Sequence, residues 1–292
     1  MNSKTVRSAL ALTVLIATLV AFTYYFQTHP EVWRSLQTVP LSRLGILFVL
    51  YVAFMGSLVW IQRATLALCD LRLHPKESTL LVMYSSVINF FGPLQSGPAF
   101  RAAYLKTRHN LSLKRYTVAT LAYYGLYAVF SGLLLMAALI GLWILPALVL
   151  VLVAIPLLRR IRRFKDLDAG NLRSLAAATL SQVLVTSVIY LVEIHSLMPT
   201  VSYVQALVYT GAANFALFVS VTPGAIGFRE SFLLFSQRLH DIGGSTIAAA
   251  SVIDRSVYIL LLLVLAAIVF GLHANDCLKV KQPAKVSKNP RS

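Results

Sequence analysis

Charged side chains are scarce in this sequence: aspartate, glutamate, lysine and arginine together make up 12% of its 292 residues. Soluble globular domains carry about 25% charged residues. Hydrophobic residues reach 58%, and the mean hydropathy is +0.75. This composition excludes an ordinary soluble domain, and no polar stretch is long enough to form a separate one. The sequence therefore indicates an integral membrane protein.

Motifs that carry catalytic or metal chemistry are also absent. The sequence contains no HExxH, no GxSxG and no phosphate-binding loop, and its histidines and cysteines do not have the spacing of a metal site. The two cysteines, Cys69 and Cys277, form no disulfide pattern. We therefore expect no enzymatic activity, no metal and no cofactor.

Acidic residues are few, with 10 aspartates and glutamates against 26 lysines and arginines and a net charge of +16. In a soluble protein this excess would suggest a nucleic acid partner. Here most basic residues lie between apolar runs, where they set the topology and contact anionic lipid headgroups. We therefore expect anionic lipid headgroups at the basic cytoplasmic loops and no nucleic acid.

Apolar runs long enough to cross a bilayer, which takes about 20 residues, predict about six full spans. The predicted spans are residues 8–26, 44–68, 116–141, 142–158, 174–197 and 246–272. Each is expected to be helical, because a helix satisfies its own backbone within lipid. No cleavage site follows the first run, so we interpret it as a retained helix. The predicted fold is an all-α polytopic membrane protein, with one transmembrane domain over residues 1–274 and a basic, disordered cytoplasmic tail over 275–292.

Two further apolar segments, residues 80–106 and 203–238, are interrupted by proline and glycine. After each break only about 6 to 12 residues remain before polar sequence, or about 10 to 18 Å of helix against a hydrocarbon core of about 30 Å. We therefore predict two re-entrant helical hairpins, each of which enters and leaves on one side. The residues predicted at their turns are Asn89, Pro93 and Gly97 in the first and Asn214, Pro223, Gly224 and Gly227 in the second.

The distribution of basic residues supports this topology. With both hairpins re-entrant and the N-terminus inside, the lysines and arginines of the outside connectors are Arg34, Arg43 and Arg238 alone, in agreement with the positive-inside rule. If the first hairpin spanned instead, the basic cluster in residues 159–173 would fall outside. We therefore expect both termini to be cytoplasmic, in a bacterial-type inner membrane.

The order span, hairpin, span occurs twice, over residues 44–141 and 174–272. The single span between the copies makes the second copy enter from the opposite side, so the two form an inverted repeat. Many transporters place their substrate site near the midplane between such repeats. We therefore expect the functional site where the two hairpins meet.

Ionisable residues at membrane depth mark the candidate site. A charge at the bilayer centre costs at least about 2.5 to 3.5 kcal/mol, so such residues are usually paired or functional. The candidate substrate-binding residues are Arg101, Glu193, Arg229, Glu230, Asp254 and Arg255. Because adjacent helical residues do not face each other, we predict the pairs Arg229–Asp254 and Glu230–Arg255.

Each break should also begin a half-helix whose exposed N–H groups suit a phosphate, to which Arg101 and Arg229 would add bidentate donors. Plainer interpretations stay open. The breaks could be kinks in ordinary helices, the ion pairs could be purely structural, and Glu193 could be interfacial. The tyrosines in residues 123–127 are interpreted as packing rather than site residues.

These residues resemble a known family. Residues 222–230 (TPGAIGFRE), followed by Asp254 and Arg255 in the next span, are similar to the second signature of the lysylphosphatidylglycerol synthase transmembrane-region family of flippase-like membrane domains. Residues 93–101 (PLQSGPAFR) resemble its first signature, although Pro98 stands where the family commonly has glutamate. The tyrosines of residues 123–127 replace the acidic and arginine pair of the following span. The resemblance covers about residues 40–272.

The resemblance implies lipid handling, since in the fused enzymes this region is associated with moving a charged phospholipid between leaflets. No part of this sequence corresponds to their soluble aminoacyl-transferase domain, so we do not expect lysyl transfer by this chain alone. We expect a protein that binds and moves a membrane phospholipid or polyprenyl-phosphate lipid. One alternative is a non-catalytic membrane partner of a separate lipid-modifying or glycosyl-transfer enzyme. Another is an enzyme acting on a polyprenyl-phosphate lipid at the membrane surface.

Overall fold

The computed structural model describes residues 39–91, 96–155, 160, 168–219 and 227–271, together with positions 34 and 37. Within these ranges all regular structure is helical, so the predicted all-α fold is confirmed. The helices are α1 Leu41–Ala67, α2 Pro75–Phe91, α3 Ser96–His109, α4 Leu113–Leu135, α5 Ala137–Ile140, α6 Ile144–Ala154, α7 Ala169–Leu197, α8 Tyr203–Val219, α9 Phe228–Phe235, α10 Gln237–His240 and α11 Gly244–Gly271.

Four of these helices, α1, α4, α7 and α11, are long and apolar enough to cross a membrane. They correspond to the predicted spans 44–68, 116–141, 174–197 and 246–272. The second of these is shorter than predicted, because α4 ends at Leu135 and the chain turns at Gly141, where φ is +52°.

The other predicted spans are not established as such. Within 142–158 the structure describes a 3-10 turn and then α6, whose 11 residues measure about 17 Å, too short to cross the bilayer on their own. The span at 8–26 and the tail at 275–292 lie outside the described residues. The number of six spans therefore stays a prediction.

Both interrupted segments form helical hairpins. In hairpin 1, α2 packs against α3, and in hairpin 2, α8 packs against α9 and α10. The longest legs, α2 and α8, have 17 residues each, or about 26 Å, which is less than the thickness of the hydrocarbon core. These lengths agree with the re-entrant prediction. The predicted turn residues Pro93, Pro223 and Gly224 lie outside the described residues.

Each hairpin also packs against a long helix of the other half of the chain. At the centre, α1 and α7, the first helices of the two predicted repeats, pack along each other. The α2 leg of hairpin 1 packs on α1 and also on α11, the last helix of the second half. The α8 leg of hairpin 2 packs on α7 and also on α4, the last long helix of the first half. This reciprocity agrees with a two-fold relation between the halves, and the inverted repeat remains a prediction.

Small residues allow the hairpins to pack closely. A Cβ added at Gly211 of α8 would lie 2.5 Å from the Leu135 backbone nitrogen of α4, so only glycine permits this backbone contact. In hairpin 1, a Cβ at Gly97 would lie 2.5 Å from the Ser85 carbonyl oxygen of α2. Gly97 therefore belongs to the first turn of α3, where it is needed for close packing rather than for a turn.

The two asparagines predicted at hairpin turns lie in helices. Asn89 is in the last turn of α2 and closes hairpin 1, because its side-chain oxygen accepts a hydrogen bond from the Gly97 N–H at 3.3 Å. Asn214 is fully buried within α8 and donates to the Ser131 hydroxyl of α4 at 3.2 Å. Asn214 thus joins hairpin 2 to the other half of the chain instead of forming its turn.

The two legs of hairpin 1 are also joined where α3 ends in a basic last turn. The Glu77 carboxylate of α2 accepts hydrogen bonds from the Tyr104 hydroxyl at 2.6 Å and from His109 at 2.7 Å, both on α3. Partial burial alone would raise the pKa of Glu77, but these hydrogen bonds and the nearby charges of His109 and Arg108 lower it below its ordinary value. The ionised carboxylate therefore holds the two legs together.

Candidate functional site

A cavity of about 520 Å³ lies where the two hairpins approach α1, α4, α7 and α11. Its lining includes Arg101 from hairpin 1, Arg229 from hairpin 2, and Asp254 and Arg255 from α11. Asn89, Gly97 and Asn214 line it as well. The structure thus brings four of the six predicted charged residues to a single cavity between the two halves.

The two predicted ion pairs are confirmed. Arg229 Nη1 lies 2.5 Å from Asp254 Oδ2, and Arg255 Nη2 lies 2.6 Å from Glu230 Oε1. Adjacent residues of α9 thus pair with adjacent residues of α11. The Arg229 and Asp254 side chains are only 7% and 10% exposed. Breaking a pair buried this deeply leaves an uncompensated charge, which costs about 3 to 5 kcal/mol.

Tyrosines connect the Arg229–Asp254 pair to the central helices. The Tyr51 hydroxyl of α1 donates to Asp254 Oδ1. Arg229 Nη1 also donates to the Tyr190 hydroxyl of α7 at 3.2 Å, and its guanidinium lies 5.5 Å from the centre of the Tyr190 ring. The pair is therefore held by four helices, and its geometry depends on their relative positions.

Glu230 has two partners at once. Its Oε1 pairs with Arg255, and its Oε2 accepts a hydrogen bond from the Gly227 N–H at 2.8 Å. Gly227 precedes α9 with φ of +78°, a conformation that favours glycine. The side chain of Glu230 therefore caps the N-terminus of its own helix.

This cap bears on one expectation. The half-helix N-termini were expected to offer their N–H groups to a phosphate. In the structure the N–H of Gly227 is bound by Glu230, and the N–H of Gly97 is bound by Asn89. An internal carboxylate or amide oxygen takes the place expected for a phosphate oxygen. The expectation that the remaining first-turn N–H groups of α3 and α9 suit a phosphate stays a prediction, beside the side-chain donors of the cavity.

Arg101 is a cavity arginine that has no carboxylate partner among the described residues. Its Nη1 donates to Gln62 Oε1 at 3.0 Å, and its buried Nε has no hydrogen-bond partner among the described residues. Within the described part of the chain, no carboxylate oxygen lies within 4 Å of its guanidinium. Arg229 and Arg255 are neutralised by their pairs, so Arg101 carries the excess positive charge of the cavity wall.

Six tyrosines line the cavity, and sequence reasoning missed this role. They are Tyr51, Tyr123, Tyr124, Tyr127, Tyr190 and Tyr258. The hydroxyl of Tyr123 donates to Gln182 Oε1 at 3.1 Å, and its ring packs against Tyr124 and Tyr127. Two signals existed in the sequence: Tyr258 follows Asp254 by one helical turn on α11, and the tyrosines of residues 123–127 stand where the second half has Asp254 and Arg255. The others could not be separated from packing tyrosines by sequence alone.

Glu193 lies apart from the cavity. It is 1% exposed on α7, one turn after Tyr190, and it does not line the cavity. The side chain is inside the protein, which does not favour the alternative of an exposed interfacial residue, and its predicted part in substrate binding stays a prediction. Neither of its carboxylate oxygens has a hydrogen-bond partner among the described residues.

A metal site is not indicated in the described part of the chain, where no group of three histidine, cysteine or acidic side chains could hold an ion.

Among curated proteins, none matches this sequence. Residues 8–266 match the family described as Lysylphosphatidylglycerol synthase TM region. The match includes both hairpins, the helices α1, α4 and α7, most of α11, and every predicted site residue. The chain is therefore an integral membrane protein that belongs to the lysylphosphatidylglycerol synthase transmembrane-region family.

Proposed function

We propose that the protein binds the headgroup of a phosphate-bearing membrane lipid in the cavity and moves that lipid between leaflets. The observation that carries the proposal is Arg101, a cavity arginine with no carboxylate partner among the described residues. Membership of the family gives further support. The cycle makes and breaks no covalent bond, so it needs no catalytic residue.

The charge balance of the cavity favours an anionic ligand. An unpaired charge at membrane depth costs at least about 2.5 to 3.5 kcal/mol. Because Asp254 and Glu230 are already paired with arginines, a ligand must supply the counter-charge of Arg101. A phosphodiester carries one negative charge and accepts the bidentate hydrogen bonds that a guanidinium donates.

The dimensions of the cavity suit a headgroup. Its volume of about 520 Å³ falls within the range of about 300 to 1,000 Å³ found for small-molecule sites. The tyrosine hydroxyls of the wall supply polar contacts, and the rings of Tyr51, Tyr258 and Phe54 supply apolar ones. Acyl chains have no room in this volume and would stay in the bilayer.

The packing of the hairpins provides a way to move the ligand. Hairpin 1 carries Arg101 and packs on α11 of the other half, while hairpin 2 carries Arg229 and packs on α4. Rocking of one half against the other would change the distance between the two arginines and the side from which the cavity opens. Alternating access in inverted-repeat transporters follows this scheme.

The test is a leaflet-resolved transport assay on the purified full-length chain in phosphatidylcholine vesicles. Fluorescent phosphatidylglycerol and phosphatidylcholine would be followed by chemical quenching of the outer leaflet, with a labelled polyprenyl phosphate as a third probe. We expect anionic lipid to cross faster than in protein-free vesicles. Arg101→Ala should abolish the gain, and Arg101→Lys should retain part of it.

The matched control is Arg115→Ala. Arg115 lies on the adjacent helix α4 and forms an exposed pair with Asp70, so its loss removes one positive charge without touching the cavity. This variant should transport like the wild type. If no lipid crosses faster than in empty vesicles, or if Arg101→Ala and Arg115→Ala behave alike, the proposed function is wrong.

A further inference from the structure

The described site does not use Glu193, although its environment is unusual. The side chain is 1% exposed, and neither carboxylate oxygen accepts a hydrogen bond from any described residue. An ionised carboxylate without a partner in such a place costs several kcal/mol. The neutral, protonated carboxylic acid avoids this cost. Glu193 is therefore a place in the protein where a proton can be held.

The charged group that acts on Glu193 is Arg229 of α9. Only Nη1 of this guanidinium is bonded, to Asp254 and Tyr190, while its buried Nε and Nη2 have no partner among the described residues. Two buried carboxyl groups thus share the field of one arginine, and only one of them is bonded to it. The spare donors of Arg229 match the spare acceptors of Glu193.

Among the described residues, the other ionisable groups around Glu193 do not supply another counter-charge. Tyr190 precedes it on α7, and Tyr209 faces it from α8, both as hydroxyls. On α11 the charged residues are Asp254 and Arg255, and Arg255 is paired with Glu230. On α1 the hydroxyl of Tyr51 donates to Asp254.

We propose that Glu193 is a proton-binding site that competes with Asp254 for Arg229. With the proton bound, Glu193 is neutral and Arg229 pairs with Asp254, as in this structure. When the proton leaves to water, the Glu193 carboxylate accepts hydrogen bonds from Nε and Nη2 of Arg229, and the pair with Asp254 loosens. Since Asp254 lines the cavity and Glu193 does not, the proton sets the charge that the cavity presents.

The consequence for transport rests on the proposed function, but the proton site does not. Infrared spectroscopy of the full-length chain in phosphatidylcholine vesicles detects the C=O band of a protonated carboxylic acid. The spectrum of the wild type minus that of Glu193→Gln should contain this band at neutral pH and lose it on alkaline titration. Absence of the band at neutral pH would overturn the proposal.

Competition is tested by removing the rival carboxylate. In Asp254→Asn, Arg229 becomes available to Glu193, so the midpoint at which the band disappears should fall by about 1 to 3 pH units, the effect of one nearby opposite charge. Tyr51→Phe removes a hydrogen-bond donor from Asp254 and should lower the midpoint as well, but by less. This variant provides the test if Asp254→Asn does not fold. Asp70→Asn on the surface should shift nothing. An unchanged or higher midpoint in the first two variants would refute the competition, whether or not any lipid is moved.

Discussion

The Arg229–Asp254 pair offers the sharpest test of whether the buried charges serve structure or function. In the single variant Arg229→Met, Asp254 stays buried with the Tyr51 hydroxyl as its remaining donor. Because the two side chains are 7% and 10% exposed, the loss should approach the value for a broken buried pair, about 3 to 5 kcal/mol. In the double variant Arg229→Met/Asp254→Leu, both charges are gone, and apolar side chains of similar volume often restore stability.

The assay compares thermal unfolding of the purified variants in one detergent with lipid transport in vesicles. The reference is the exposed pair Arg115–Asp70, whose side chains are 52% and 75% exposed and whose loss should cost at most about 1 kcal/mol. We expect Arg229→Met to lower the melting temperature well beyond Arg115→Ala. The double variant should recover most of the loss in stability and none of the transport.

Either of two results would refute this reasoning. If Arg229→Met unfolds at the same temperature as Arg115→Ala, the pair does not carry the stability that its burial implies. If the double variant regains transport together with stability, the pair is a structural network and its charges have no part in handling the lipid. If the double variant recovers stability but not transport, the result supports the functional interpretation of the pair.

Three further predictions concern the hairpins, each measured by thermal unfolding. Gly211→Ala should destabilise by about 1 to 3 kcal/mol, because its Cβ would overlap the α4 backbone, while Gly125→Ala, with nothing within 4 Å, should not. Gly227→Ala should cost about 1 to 2 kcal/mol, because φ is +78° there, and an unchanged melting temperature would contradict that conformation. Glu77→Gln should lower the melting temperature at neutral pH, since hydrogen bonds to charged groups contribute about 1.5 to 3 kcal/mol. Because the pKa of Glu77 is lowered on folding, this difference should begin to shrink as the pH falls below its ordinary value of 4.5 and vanish below the lowered pKa of the folded protein. A difference that does not shrink with falling pH would exclude the carboxylate as its cause.

The ion pairs could be predicted from the sequence because local geometry constrains them strongly. Arg229 and Glu230 are neighbours on one helix, and Asp254 and Arg255 are neighbours on another, so opposite charges can meet in only a few ways. The high cost of an isolated charge in lipid then requires that they do meet. The four spans were predictable for a similar reason, since their apolar runs exceed the length that a bilayer requires.

Other features depend on contacts that sequence patterns do not encode. The tyrosines of the cavity come from α1, α4, α7 and α11, and no local spacing links helices so far apart in the chain. The burial of Glu193 depends on the packing of α7 against its neighbours, although its place near the end of an apolar run resembles an interfacial one. Residues 142–158 are apolar enough for a span, but the turn at Gly141 and the 3-10 turn after it shorten the helix that they form.

Glu230 links the turn of hairpin 2 to the span behind it. One of its carboxylate oxygens caps α9 at Gly227, and the other pairs with Arg255 of α11. A displacement of α11 relative to α9 would therefore strain the helix cap and the ion pair together, and the adjacent Arg229–Asp254 pair joins the same two helices. The two ion pairs, formed by residues that are adjacent in the sequence, thus hold hairpin 2 and α11 together. Arg101, on the opposite hairpin and without a carboxylate partner in the described residues, is the residue that we propose to bind the ligand.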